Sequence, residues 1–227
     1  GDQAKFEEYD DKLGFYTPIL KGFLTELGLE AANHGMQVFG GHGYIKEHGM
    51  EQIARDARIA TLYEGTTGVQ ALDLIGRKVL LSSKGKVVRD YTAEILRFCG
   101  RHAPNKYMRR FAWDLTKICA QWNALTVRLM LAARKDRDIV SSASVDFLMF
   151  SGYAMMAYYW AQQAAVASEK LESGNGAETP EFYKAKIKVA DFYFERILPR
   201  TQGHAEAMVN PSKTMMSLAP EHFSFDY

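Results

Sequence analysis

The residue of this 227-residue chain that stands as a candidate for chemistry is Glu64. Glu64 lies between Tyr63 and Gly65, just ahead of a helix whose start is signalled by Thr67 and Gln70, a capping-box pair. A carboxylate in that position can abstract a proton once a bound ligand strips its water and raises its pKa. It can equally serve only to complement the helix dipole. Residue chemistry leaves both roles open, and the second is the simpler. Other constellations fail on spacing. Gly41-His42-Gly43 starts like a dinucleotide loop, but the third glycine position holds Lys46 and no strand precedes it. Gly85-Lys86 ends like a phosphate loop, yet Leu80 and Val87 occupy the other required positions. His34, His42 and His48 are spaced by eight and six, which suits no helical ligand pair, so no metal site is expected. No nucleophile elbow occurs.

The elements that must position these residues read as helices. Thr17-Pro18 looks like an N-cap with proline in the first turn. Apolar residues follow at Leu20, Phe23, Leu24, Leu27, Ala31 and Val38, and Gly40-Gly41 stops the helix. Gly28 and Gly35 inside it suggest close packing. Residues 41–49 form a glycine-rich loop, Met50 to Ile59 a short helix, and Val69, Leu72, Ile75 and Val79 the apolar face of the next. Ser82-Ser83-Lys84-Gly85 is a break. Beyond it, Val88, Tyr91, Ile95 and Phe98 mark one helix. Met108, Phe111, Leu115, Ile118, Trp122, Leu125, Leu129 and Ala132 mark a second with a heptad seam. Val145, Leu148, Gly152, Met155, Tyr159, Gln162 and Val166 repeat the seam in a third. Thr179-Pro180 opens a fourth, with Phe182, Ala185, Val189 and Phe192, closed by Pro199. The breaks are short, which predicts an up-down-up-down four-helix bundle. Residues 203–227 show little period and are expected to wrap the bundle surface. No strand signal occurs, so the predicted fold class is all-α.

Composition limits the function classes. Hydrophobic residues make up 47% and charged residues 24%, enough apolar content for a buried core. The formal net charge of +1 gives no overall electrostatic signature for nucleic acid or an anionic membrane. Two cysteines, Cys99 and Cys119, are too few for a disulfide scaffold and suggest a reduced compartment. The stretch from Phe147 to Ser168 is uncharged and long enough to span a bilayer. Tyrosines, Trp160, Gln162 and Gln163 well inside it favour a buried bundle helix, so no membrane span is expected.

Two motifs carry a resemblance. Gln37-Val38-Phe39-Gly40-Gly41-His42-Gly43-Tyr44, then Arg55-Asp56, then Leu62-Tyr63-Glu64-Gly65-Thr66, resemble in order and separation the C-terminal catalytic part of flavin-dependent acyl-CoA dehydrogenases. Ala71-Leu72-Asp73-Leu74-Ile75-Gly76-Arg77-Lys78 is similar to the bacterial, 3-methylmercaptopropionyl-CoA dehydrogenase-like subgroup with an extra C-terminal helical domain. The resemblance implies that residues 1–82 are part of the catalytic helical domain and residues 86–227 the extension. It implies Glu64 as the base that removes the acyl-CoA α-proton, while the β-hydride passes to flavin, leaving a trans-2-enoyl-CoA. Tyr63 and Gly65 would line the thioester end. Gln37, Gly40 and Gly41 would meet the adenosine side of FAD, commonly held by a neighbouring subunit, and Thr66 would approach FAD. Many relatives carry Gln or Glu two residues beyond that threonine, where this chain has Gly68. The expected partners are acyl-CoA, electron-transfer flavoprotein and further copies of the protein, in the bacterial cytoplasm. Arg55-Asp56 reads as a structural ion pair or a solvated turn.

The chain starts at Gly1 without a methionine, and the family's N-terminal helical and β-domains have no counterpart in it. The resemblance therefore implies part of a larger enzyme, expected to be inactive by itself. The competing reading is a helical binding or oligomerisation module that keeps the motif without catalysis.

Overall fold

A computed structural model describes residues 3–223. Among these residues every regular element is helical. The first, α1 (Gln3–Val38), is 36 residues long and spans about 54 Å at 1.5 Å per residue. It begins well before Thr17-Pro18, so those residues do not cap it. Pro18 lies inside the helix, and the Thr17 hydroxyl donates back to the Leu13 carbonyl at 2.8 Å. Burial, not propensity, sustains the helix through proline: Phe15, Ile19 and Phe23 are all sunk in the core.

Two short 3₁₀ turns (Gly40–Tyr44 and Lys46–His48) lead into α2 (Met50–Ile59), which matches the expected span. Then come α3 (Thr67–Leu72), prolonged by π-helical turns over Asp73–Ser82, and a turn with Lys84 and Gly85 both in left-handed conformation. Beyond the turn come α4 (Lys86–His102), α5 (Arg109–Ala132), α6 (Asp138–Ser173) and α7 (Pro180–Phe192). Thr179 caps α7, its hydroxyl accepting from the Phe182 N–H at 3.3 Å, with Pro180 in the first turn as expected. Pro199 does not simply close α7. Further π-helical turns cover Tyr193–Ile197, and Pro199 then caps α8 (Arg200–Met208). The expected irregular tail is thus helical through Met208, anchored by buried Thr201, Ala205 and Met208, and resumes as α9 (Lys213–Met216). The expectation for the last residues, 224–227, lies outside the described residues.

Helix α6 is the hub. It packs on α1, α3, α5, α7 and α8, and one continuous apolar core runs from Phe15 through α3 to Met208. It is long and apolar enough to cross a membrane by length and composition, and 61% of its most apolar window is buried inside the protein. Its contact with α1 depends on Gly152. A Cβ there would sit 2.1 Å from Phe23 Cγ, and the Phe23 ring stands edge-on to Tyr153 at 4.9 Å.

The expected faces of α4 and α5 hold: Val88, Tyr91, Ile95 and Phe98 are buried, as is the α5 seam from Met108 to Leu129. Elsewhere the faces are rotated. On α6, Leu148, Gly152 and Met155 are buried, but Val145, Tyr159 and Val166 are exposed. Five neighbours cover α6 through small residues (Ala143, Ala154, Ala157, Ala161, Ala164), which a count of large apolar side chains overlooks. On α7, Phe182, Ala185, Val189 and Phe192 face solvent, and close approach at Ala190 buries Tyr193 and Phe194 instead. On α1, Leu20, Leu24, Ala31 and Val38 are exposed because the Phe15-Ile19-Phe23 stripe makes the contact. On α3, Val69 and Leu72 are exposed while Ala71, Leu74, Ile75 and Val79 are buried. Gly35 does admit a close neighbour, Met50 Cε, whereas nothing approaches Gly28.

Candidate functional site

The segment linking α2 to α3 holds Glu64 in an uncommon conformation. Its φ is +55°, a left-handed value that a non-glycine residue keeps only when its surroundings hold it there. Four contacts do so. The Lys21 ammonium, on α1, donates to the Ala60 carbonyl at 2.9 Å and to the Gly65 carbonyl at 2.7 Å, bracketing the loop. The same nitrogen lies 5.8 Å from the centre of the Tyr63 ring. The Gln70 side-chain amide donates to the Glu64 carbonyl at 3.0 Å. The start of the loop is pinned by buried Thr61, whose hydroxyl accepts from the Arg58 guanidinium at 2.6 Å and donates to the Arg58 carbonyl at 3.0 Å.

This geometry explains Gly65 and Thr66 of the Tyr63-Glu64-Gly65-Thr66 run. Gly65 has φ +89°, and a Cβ on it would meet the Gln70 amide nitrogen at 2.8 Å. Only glycine suits both demands. Thr66, rather than Thr67, is the helix cap: its hydroxyl accepts from the Val69 N–H at 3.4 Å. The expected Thr67–Gln70 capping box therefore does not form: the cap lies one residue earlier, and the third helical position is Val69. Thr67 instead donates to Glu26 on α1 at 2.5 Å, and Gln70 serves the Glu64 carbonyl. Tyr63, Glu64 and Thr66 are exposed and Gly65 is half-buried, so the motif forms a surface wall.

Gln37, Gly40 and Gly41 lie at the other end of α1 and are exposed. Gly40 adopts φ +60° where the helix ends. Buried Gly43 folds the turn back onto α1, where a Cβ would meet the Met36 carbonyl oxygen at 2.4 Å. Nothing lies within 4 Å of a Cβ built on Gly40 or Gly41, so their backbone faces open space that a ligand can approach closely. Sixteen residues of α1 separate Lys21 from Gln37, about 24 Å along its axis, so the structure does not bring the two motifs together in one pocket. Asp56 accepts from Gln52 at 2.7 Å, and among the described residues no ion pair joins it to Arg55. His42 and His48 stand ring to ring at 5.5 Å, and no group of three or more His, Cys, Asp or Glu is gathered among the described residues.

A polar network ties α6 and α8 to α1. Arg200 on α8 donates to Glu30 at 2.9 Å and to the Tyr153 hydroxyl at 3.3 Å. His204 pairs with Asp146 at 2.8 Å and stacks on Tyr153. Burial pushes the Glu30 carboxyl up, but hydrogen bonding and the charge of Arg200, with a smaller part from His34, outweigh it and hold the group below its usual range. None of Lys21, Gln70, Arg200 or Glu30 was legible as a site residue. Their partners lie 39 to 44 positions away for Lys21 and 170 for Arg200, beyond any local pattern.

The fold and loop define an all-helical protein, built on one continuous core, that presents Glu64 at a helix start on a clamped backbone. Two family models cover it. Residues 4–80 match the acyl-CoA dehydrogenase C-terminal domain, and residues 91–219 match the acetyl-CoA dehydrogenase C-terminal-like family. The chain belongs to the acyl-CoA dehydrogenase family. It is 37% identical to 3-methylmercaptopropionyl-CoA dehydrogenase of Ruegeria pomeroyi over 87% of this chain and 33% of that protein. It is 31% identical to a broad-specificity linear acyl-CoA dehydrogenase of Mycobacterium tuberculosis, over 88% of this chain and 34% of that protein. A butyryl-CoA dehydrogenase of Syntrophomonas wolfei is 27% identical over 98% of this chain and 36% of its own length. The chain thus spans about a third of the length of the curated relatives it matches.

Proposed function

We propose that this chain forms the base-bearing part of an FAD-dependent acyl-CoA dehydrogenase that converts an acyl-CoA to a trans-2-enoyl-CoA. The observation that carries this reading is the Glu64 loop, whose backbone Lys21 and Gln70 hold with Glu64 at left-handed φ inside the Tyr-Glu-Gly-Thr motif. The Glu64 carboxylate takes the α-proton, and the electron pair of the broken C–H bond moves toward the thioester carbonyl. Tyr63 and Gly65 line the thioester end and exclude water from it, which raises the basicity of the carboxylate when substrate is bound. Glu64 itself is solvent-exposed in this chain, so the opposite wall has to come from beyond these residues.

The residues present suit FAD as one wall of its site. Open backbone at Gly40 and Gly41 admits close approach, with Gln37 beside it for the adenosine side and Thr66 near the ring end. When bound, the flavin supplies the hydride acceptor. The separation of about 24 Å along α1 suits an adenosine loop that serves a neighbouring subunit, hence a homo-oligomer. Gly68 carries no side chain to make the contact that Gln or Glu makes two residues beyond the threonine in many relatives. Electron-transfer flavoprotein is the proposed reoxidant and the bacterial cytoplasm the proposed location. Residues 1–82 are read as part of the catalytic domain and residues 86–227 as its extension. Without an oriented substrate and cofactor, the chain by itself is expected to be inactive. The test is to purify it and assay acyl-CoA with an artificial electron acceptor. A colourless, inactive protein is expected; a yellow protein that reduces the acceptor overturns the proposal that it needs further chain.

A further inference from the structure

The net charge of +1 conceals a strong division. Residues 86–137, which hold α4 and α5, carry 12 Lys and Arg against 4 Asp and Glu; the rest of the chain carries 16 against 23. Lys106, Arg109 and Arg110 line one outer face of this hairpin, whereas Lys86 and Arg97 line a separate pocket on the α1 side. Helix α4 packs on α5, on α1 and on the π-helical turns, and the far side of the α4–α5 hairpin is uncovered among the described residues. Between the two helices on that side runs a groove of about 850 Å³. Leu96, Gly100, Ala103, Ala112 and Thr116 line it, Trp113 forms one wall, and Lys106 and Arg109 stand among its lining residues. Trp113 is 65% exposed and Leu96 42% exposed. Lys117 lies 5.9 Å from the Trp113 ring centre, and Lys106 lies over Tyr107. Among the described residues Arg89, Arg109 and Arg128 are exposed and in no ion pair, whereas Arg110 pairs with Glu195 and Lys117 with Asp114, and Arg97 lines the other pocket with Glu7, Asp11, Asp90 and Glu94.

We propose that this α4–α5 face docks on an anionic phospholipid surface. Two independent features point to the same occupant. The uncompensated cations favour a negative surface, each contributing additively near a charged leaflet. Trp113 and Leu96, set between those cations with an apolar groove beside them, are the side chains that enter the headgroup boundary. A nucleic-acid backbone would satisfy the cations but leave Trp113 and the groove floor in water. The face lies on the extension and involves none of the residues assigned to proton abstraction, so it stands apart from the proposed reaction.

The test uses the full chain with vesicles of phosphatidylcholine alone or with about a quarter phosphatidylglycerol. Co-sedimentation with the anionic vesicles is expected, little with the neutral ones, and release at about 0.5 M salt. Trp113 emission should shift to the blue, and Trp113→Phe should abolish that shift, since Trp122 is buried and Trp160 half-buried. The double variant Lys106→Glu, Arg109→Glu should reduce partitioning at least about 25-fold, at about fivefold for each charge lost. Lys184→Glu, on α7, should leave it unchanged; circular dichroism and the melting temperature verify that each variant is folded. Equal binding to both vesicle types, or an unaltered double variant, overturns the proposal. So does duplex DNA binding of equal strength without a Trp113 shift, or self-association that buries Trp113 in the absence of lipid.

Discussion

Replacing Lys21 by methionine keeps the stem that packs along α1 and removes only the ammonium. That group makes two charge-assisted hydrogen bonds, to the Ala60 and Gly65 carbonyls at 2.9 and 2.7 Å. Bonds to charged groups contribute about 1.5–3 kcal/mol each when well shielded. Lys21 is half-buried and both carbonyls can recover water, so about 1 kcal/mol each is the better figure, some 2 kcal/mol in all. The left-handed Glu64 stores strain of about 1 kcal/mol, which this clamp and Gln70 offset. Losing the ammonium should therefore open the loop while leaving the core folded. Amide hydrogen exchange reads this directly. The Leu62 and Tyr63 N–H groups, both bonded to the Ile59 carbonyl, should exchange about 30-fold faster, whereas amides in α5 and α6 stay unchanged. Exchange at Leu62 and Tyr63 within twofold of the parent would refute the clamp. Uniform acceleration across α5 and α6 would show that Lys21 acts on global stability instead.

Gly152→Ala forces a methyl against Phe23 Cγ at a nominal 2.1 Å, an overpacking that should cost about 1–3 kcal/mol and lower the melting temperature by several degrees. Glu30 is held below its usual carboxylate range, so its contribution is complete above about pH 4.5 and is lost as pH falls through the folded value. Glu30→Gln should accordingly flatten the acid side of the stability-versus-pH curve measured by denaturant midpoints. Burial, with a smaller part from Cys99, pushes the Cys119 thiol up to about 12. A thiol raised this way keeps its contribution below its unfolded value and loses it as pH rises from about 9 toward 12. Ellman's reagent at pH 8 should find Cys119 unreactive until the protein unfolds.

The bundle was legible where one large apolar stripe faces the core. Phe111, Leu115, Ile118 and Trp122 follow a seam that α5 obeys, and the breaks near 103, 135 and 175 follow from local turn residues. It was illegible where small residues make the contact. Ala154, Ala157 and Ala161 bring neighbours close to α6, and Ala190 does the same for α7, so Val166, Phe182 and Phe192 turn outward despite their size. The Glu64 motif could be read, and its glycine and threonine have local reasons in φ and capping. What holds the glutamate could not, because Lys21 reaches it across tertiary space and Gln70 takes a role its helical position does not announce.

The account turns on Glu64 as the proton-abstracting base, and the direct measurement is Glu64→Gln in the dehydrogenase holoenzyme carrying this chain. The amide keeps the size of the side chain and removes its basicity. Turnover of acyl-CoA is predicted to fall about 100- to 10,000-fold with flavin content and acyl-CoA binding retained. Turnover within about threefold of the parent would contradict the assignment.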